Sequence, residues 1–352
     1  MEKIEPFAQG FALALAPELV LVIGLFTLMI VPNLGDAKFR LPLTQIRIPW
    51  LLGGQRGNLD SDPRLPGLFA TVFFTIAFGL TAVSFFGGMN KTQIVTPSGT
   101  VMLQIDEFSR MFELIFFGAL ALASAASVNR IPATSRADRS LSGLYNNRRQ
   151  VDFYILLITT GLGMAVVALA QDLFMLFIGL ELASFSTYVL VSFMKESKEG
   201  TEAGMKYFIV GSVASGVGLY GLSLLYLWSG SLQFTDLAVA FEQNGMEALP
   251  LIALGMLLVG FGFKVSAAPF HFAAPDAYSG ANSPVAGVLA TASKAMGMLG
   301  LMRVLLIITV PEANADGSAI WIGLFGILAA VTMTWGNIAA VSYTHLTLPT
   351  IE

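Results

Sequence analysis

The chain is a succession of long apolar runs separated by shorter polar stretches. About nine runs are long enough to cross a membrane, at residues 11–31, 68–88, 109–128, 153–170, 172–194, 204–229, 250–279, 283–308 and 319–341. About 20 mostly apolar residues in a helix span the hydrocarbon core of a bilayer. None of the runs alternates as a membrane strand would. The pattern predicts an all-α, polytopic transmembrane helix bundle. The first run follows Glu2 and Glu5 and contains Pro17 and Glu18, so it reads as a retained helix and not as a cleaved signal. Between the runs, residues 32–66 form a Pro/Gly-rich link with an apolar patch from Ile46 to Leu52. Residues 89–108 read as a short extended segment, residues 129–150 are polar and basic, and residues 230–249 carry no Lys or Arg.

Composition narrows the class further. Hydrophobic residues make up 55% of the 352 positions and charged residues 12%, against about 25% in soluble domains. Mean hydropathy is +0.73. A soluble enzyme and a disordered chain are excluded, and a net charge of -4 gives no footprint for nucleic acid. The absence of cysteine removes disulfides, Cys-bound zinc and iron–sulfur clusters, and a count of only two histidines argues against a His-rich metal or haem site. The basic residues are unevenly placed. Lys38, Arg40, Arg47, Arg56 and Arg64 follow the first run, Arg130, Arg136, Arg139, Arg148 and Arg149 the third, and Lys195 and Lys198 the fifth. The opposite side holds Lys3, Lys91 and Arg110. The positive-inside rule then puts the loops after odd runs in the cytoplasm and the N-terminus outside.

A few charges fall inside the runs: Glu18, Glu113, Glu181, Lys206, Lys264, Lys294 and Arg303. Each costs about 2.5–3.5 kcal/mol at the bilayer centre, so an intramembrane charge reads by default as part of an ion or proton path. Glu181 lies mid-run in LFMLFIGLELASFSTYVLV; its bland reading is a neutral acid hydrogen-bonded to Ser184 or Ser186. Lys294, in VLATASKAMGMLGLM, is too deep to reach the interface easily. Lys206 is one turn inside its run and could snorkel. Glu18 reads as a relay group, a subunit contact or a neutral acid. Glu113 follows Arg110 at i,i+3 and reads as a local ion pair, and Arg303 as a snorkelling cation. Burial pushes a Lys and a Glu towards their neutral forms and an opposite charge reverses both. A Lys–Glu pair is therefore bistable, and a chain of such groups can pass a proton.

The seventh run carries a second clue. Lys264 precedes Pro269 by five residues, and SAAPFHFAAPDAYSGANSP also holds Pro275 and Pro284. Proline removes a donor and breaks a helix. A break at membrane depth is tolerated where it lines a cavity or is buried in protein, and such breaks mark ion sites. His271 falls inside the break, and histidine is the residue type suited to a proton relay.

Four segments carry a resemblance: LFIGLELASFSTYVLV, EAGMKYFIVGSVASGVGLYG, GFGFKVSAAPFHFAAPDAYSGANSPVAGVLATASKAMG and TMTWGNIAAV, with IDEFSRMFEL opening the third run. Together, from about residue 10 to 341, they resemble subunit N (subunit 2) of the proton-pumping NADH:quinone oxidoreductase, respiratory complex I, an antiporter-like membrane subunit. The resemblance implies an antiporter-like fold with a broken seventh helix and an incomplete second repeat. It matches Glu181 and Lys264 to the family's coupled pair, Lys206 to the lysine joining that pair to a central axis, and Lys294 to the helix-eight lysine. It implies other membrane-arm subunits and the bilayer as partners, the cytoplasmic membrane as location, and quinone and NADH used elsewhere in the complex, with no cofactor in this chain. It divides the chain at 1–150, 151–310, 311–341 and a tail, 342–352. Two departures stand out. Ala273 replaces the usual aromatic, and the tail SYTHLTLPTIE matches nothing in the family and reads as an artefactual terminus. A cation/proton antiporter or membrane-bound hydrogenase subunit shares this helix core, and a non-transporting scaffold is the alternative of another class.

Overall fold

The computed structural model describes residues 2–6, 10–30, 39–40, 47–48, 65–88, 91–97, 99–128, 142–245, 247–309 and 315–346. Most of the 32–66 link, the first part of the 129–150 loop and residues 347–352 lie outside them. The elements run β1 (Glu2–Ile4), α1 (Phe11–Ala14), α2 (Ala16–Ile30), β2 (Phe39–Arg40), β3 (Arg47–Ile48), α3 (Leu65–Phe86), β4 (Thr92–Val95), β5 (Val101–Ile105), α4 (Glu107–Ser127), α5 (Ser142–Leu169) and α6 (Leu173–Val191). They continue as α7 (Lys198–Ser229), α8 (Phe234–Asn244), α9 (Ala248–Val265), α10 (Ala273–Gly280), α11 (Ser283–Val288), a π-turn (Leu289–Ser293), α12 (Lys294–Thr309) and α13 (Ala315–Leu346).

Each predicted apolar run holds a helix among the described residues, the seventh in two pieces. Among the described residues, 7 helices are long and apolar enough to cross a membrane, and Ala16–Ile30 and Gly323–Ala339 are shorter apolar helices. The first run is interrupted at Leu15 because Pro17 cannot donate the backbone bond that would continue α1. The seventh ends at Val265. The ninth continues beyond its predicted end, to Leu346. Large apolar side chains point outward along the helices, among them Leu13, Val83, Phe86 and Leu227, each more than 70% exposed. Apolar surface on that scale suits lipid and not water.

The chain forms two compact units, residues 1–208 with 277–296, and residues 209–276 with 297–352. In the first, α5 packs along α6, α3 along α4, and α2 against α3 and α5, while α11 rests on α4 and α6. Phe74, Phe116, Phe117, Phe153 and Tyr154 fill the interior. The predicted extended segment is a β-hairpin. Its strand β4 pairs antiparallel with β5 and parallel with β1, giving the order β1-β4-β5. Leu103 of β5 bridges to Ala170 after α5. Ala14, Leu15, Ile94, Ile105 and Leu169 form a small apolar core beneath this sheet. Asp106 and Ser109 start α4 with a reciprocal capping box.

In the second unit the small residues of α7 do what small residues do in membranes, letting backbones approach. A Cβ added at Gly218 would lie 3.7 Å from the Gly260 Cα on α9. Residues 234–244, within the stretch expected to be a loop, form the short helix α8.

Candidate functional site

The first unit carries three of the predicted site residues. Glu181 lies mid-way along α6, which starts at Asp172, whose side chain accepts the Met175 amide at 2.7 Å. Glu181 is half-buried. The Ser184 hydroxyl donates to the Leu180 carbonyl at 2.5 Å and that of Ser186 to Leu182 at 3.0 Å. Each hydroxyl has one proton to give, so both serines are engaged with their own helix. Lys206 is exposed on α7 and forms an ion pair with Glu202 at 2.8 Å, one turn earlier. Lys294 opens α12 directly after the π-turn Leu289–Ser293. Such a turn inserts a residue into the helix and re-aims the side chains beyond it, and it recurs at functional sites. The Lys294 ammonium stands 5.8 Å from the centre of the Tyr278 ring, a cation–π distance. The segment leading to Lys294 packs against α4 and α6, the latter being the helix of Glu181.

The second unit carries Lys264, His271 and the break. Helix α9 ends in a Schellman turn. The Ser266 amide donates to the Phe263 carbonyl at 3.0 Å and the Ala267 amide to Gly262 at 2.8 Å, with Ser266 left-handed at φ 59 and ψ 42. Lys264 is therefore in the last helical turn, where the negative end of the helix dipole favours a cation. It is 5% exposed. Gly297 of α12 admits it: a Cβ there would meet the Lys264 side chain at 3.1 Å and its carbonyl carbon at 3.2 Å. The unwound backbone is satisfied piece by piece. Ala268 donates its amide to the Thr332 hydroxyl at 2.9 Å, and Thr332 donates to Leu328 at 2.6 Å. Phe270 donates to Ala267 and Ala274 to His271. Pro269 sits exposed within the break, and Pro275 occupies the first turn of α10, where its missing N–H costs nothing. Ala273 is buried at the start of α10.

His271 is half-buried. Its ring stacks on Phe272 at 4.8 Å and meets the edge of Trp335 at 5.9 Å. Its Nδ1 makes no hydrogen bond among the described residues. Thr332 and Trp335 thus serve the break from α13. Their segment, TMTWGNIAAV, carries the family resemblance, but neither residue stands out in the sequence as polar partner or ring neighbour.

Two readings change. Arg303, expected to snorkel, is 8% exposed, with its guanidinium 5.9 Å from the Phe234 ring of α8. The helix in place of a loop at 234–244 supplies that ring. The Arg110–Glu113 pair is present but gains a partner 92 residues away: Arg110 Nη1 contacts Glu113 Oε2 and, at 2.8 Å, Glu18 Oε1. Its Nη2 donates to the Ala14 carbonyl at 2.6 Å. In addition, Tyr207 is buried edge-on to Tyr188 at 4.9 Å and hydrogen-bonds Thr187, an aromatic contact that no sequence signal picks out. Among the described residues no group of three or more His, Cys, Asp or Glu side chains could hold a metal ion.

A bundle of apolar helices with one helix broken beside a buried lysine defines an antiporter-like membrane protein. The model of the family "NADH:quinone oxidoreductase/Mrp antiporter, TM" matches residues 170–347, and the chain belongs to this family. It is 36% identical over 284 residues to F(420)H(2) dehydrogenase subunit N of Methanosarcina mazei, covering 80% of this chain and 52% of that one. It is 34% identical over 289 residues to NADH-quinone oxidoreductase subunit N of Heliobacterium modesticaldum, covering 82% and 56%. A chain in the structure of respiratory complex I from Thermus thermophilus with bound aureothin superposes with a TM-score of 0.63 at 25% identity, covering 92% of this chain and 58% of that one. The chain spans about half the length of the curated relatives it matches.

Proposed function

We propose that the chain is a proton-translocating membrane subunit of a quinone-reducing oxidoreductase of the NADH:quinone type. Its own part is proton transfer through Glu181, Lys206, Lys264, Lys294 and His271. Electron transfer from the donor to quinone takes place on other subunits, so NADH and quinone are ligands of the complex and not of this chain. The other membrane-arm subunits are its partners. The cytoplasmic membrane is its location, with the N-terminus outside, a reading supported by the excess of Lys and Arg in the loops after odd runs.

The observation that carries this reading is Lys264, buried in the last turn of a membrane helix that stops at a Schellman turn. A lysine there is shielded from water at the helix end whose dipole favours a cation, and in this proposal a neighbouring charge decides whether it holds its proton. The exposed Lys206–Glu202 pair and the Tyr278-facing Lys294 supply further stations of the same chemistry.

The test is coupled turnover in membranes carrying the assembled complex. Lys264→Ala and Glu181→Ala are expected to lower proton-coupled quinone reduction by about 10²-fold, the scale of a lost proton-transfer group, with the subunit still assembled. Lys264→Arg is expected to restore charge but not turnover, since guanidinium does not deprotonate. Normal coupled turnover in both alanine variants removes the relay. A second reading, as a subunit of a cation/proton antiporter, is favoured by the family's own scope, which joins oxidoreductase and Mrp antiporter subunits. It predicts sodium-dependent proton movement without any electron donor.

A further inference from the structure

We propose that Glu18, Arg110 and Glu113 form a proton-binding site that holds one exchangeable proton between its two carboxyls at neutral pH. The site lies outside the relay, on α2 and α4, and stands whether or not the relay does. The side chains of Arg110 and Glu113 are 3% and 0% exposed and that of Glu18 is 12% exposed. One guanidinium nitrogen, Nη1, serves both acids, while Nη2 takes the Ala14 carbonyl left at the end of α1 by the interruption before Pro17. The small apolar core of Ala14, Leu15, Ile94, Ile105 and Leu169 adjoins it under the sheet.

Charge counting gives the proton. Arginine does not deprotonate in proteins. Two ionised carboxylates against one guanidinium leave an uncompensated negative charge in a dry interior, which a folded chain does not tolerate cheaply. Hydrogen bonding gives the same answer independently. Glu18 Oε2 and Glu113 Oε1 are both buried, and neither has a hydrogen-bond partner among the described residues. A proton on either carboxyl turns one of these idle acceptors into a donor. A metal ion is a poor fit, because the guanidinium occupies the space between the acids and no third acidic ligand is present among the described residues.

Nothing else nearby among the described residues supplies the missing charge. The helices packed against α2 and α4 are α3, which carries no titratable group, α5, and the 283–293 segment, which carries none. On α5 the charged residues Arg148, Arg149 and Asp152 lie at the end away from the sheet, about 25 Å along the helix at 1.5 Å per residue. Asp106 and Glu107 precede the site on α4. Asp106 is engaged by the Ser109 amide and the Gln104 amide group, and Glu107 is exposed. Lys3 and Lys91 are exposed.

Infrared spectra of the purified full chain in lipid nanodiscs at pH 7 test this, read as wild type minus variant so that other carboxyls cancel. Glu18→Gln and Glu113→Gln are each expected to remove the same protonated-carboxyl C=O band, because either change leaves a one-to-one pair with Arg110. Arg110→Gln is expected to double the band. In D2O the wild-type band is expected to shift as the proton exchanges. Loss of no band in either glutamine variant means both acids are ionised and overturns the proposal. Loss in only one means a single buried acid and overturns the shared proton, and a band that does not exchange overturns the site as a proton-binding one. Should the glutamine variants not fold, Glu18→Asp and Glu113→Asp keep both carboxyls and are expected to shift the same band; a band that moves in neither overturns the proposal.

Discussion

The chain buries charge in two ways. At the end of α9 a single lysine is placed where a helix stops, against the negative ends of backbone dipoles and a close-lying glycine. In the N-terminal helices Arg110 is enclosed by two acids and a carbonyl. In the first case the negative ends of backbone dipoles favour the cation. In the second, side chains answer one another, so removing Arg110 leaves two acids without their cation in an apolar interior.

The largest expected effect separates the two directly. Arg110→Ala removes the cation from between two buried acids and is expected to cost about 3–5 kcal/mol of stability, read as a lowered unfolding temperature by circular dichroism in detergent. Lys264→Ala is expected to cost less, about 2 kcal/mol, the upper range of a helix-end interaction, while lowering coupled turnover by about 10²-fold; equal destabilisation by the two would erase the distinction. Thr332→Val tests whether the break depends on side-chain support from α13. It leaves the Ala268 amide without its acceptor, with an expected loss of about 1–3 kcal/mol and faster hydrogen exchange at that amide. Gly297→Ala crowds the Lys264 backbone and is expected to cost about 1–3 kcal/mol, with a fall in coupled turnover that Thr332→Val need not match. The smallest effect lies away from both regions. Asp172→Ala removes the α6 cap for about 1 kcal/mol, and Asp172→Asn is expected to keep it.

The range over which the physics acts decides how much is legible in the residues. Apolar length alone locates the membrane-length helices among the described residues, and Pro269 with Lys264 locates the break, because backbone donors and hydropathy are local properties. The i,i+3 spacing finds Arg110 with Glu113 for the same reason. Glu18 cannot be joined to them in this way, since its partner is 92 residues away and reaches it only through the packing of α2 with the helices beside it. Arg303 departs from expectation, and its ring neighbour Phe234 belongs to α8, a helix from a stretch in which the short apolar pattern of Phe234, Leu237 and Phe241 is too brief to announce one. Thr332 carries a visible signal, a hydroxyl in an apolar helix, but nothing in its spacing tells which amide it will serve. Lys206 shows the opposite limit. The family resemblance raises it to a relay group, whereas its geometry is that of an exposed i,i+4 pair with Glu202.

The three-stranded sheet imposes an order of events on synthesis. Glu2–Ile4 pairs in parallel with Thr92–Ile94, so the first strand made must wait for about ninety residues, two apolar helices among them, before its neighbour exists. Closing a loop of that length carries an entropic cost that grows only slowly with length, but it delays the contact beyond every helix pairing formed on the way. The sheet is in this sense a latch, fastened late over a bundle whose first helices are already in lipid. A bulky fusion placed directly before Glu2 is therefore expected to spare insertion and to disturb the seal above Ala14 and Leu15.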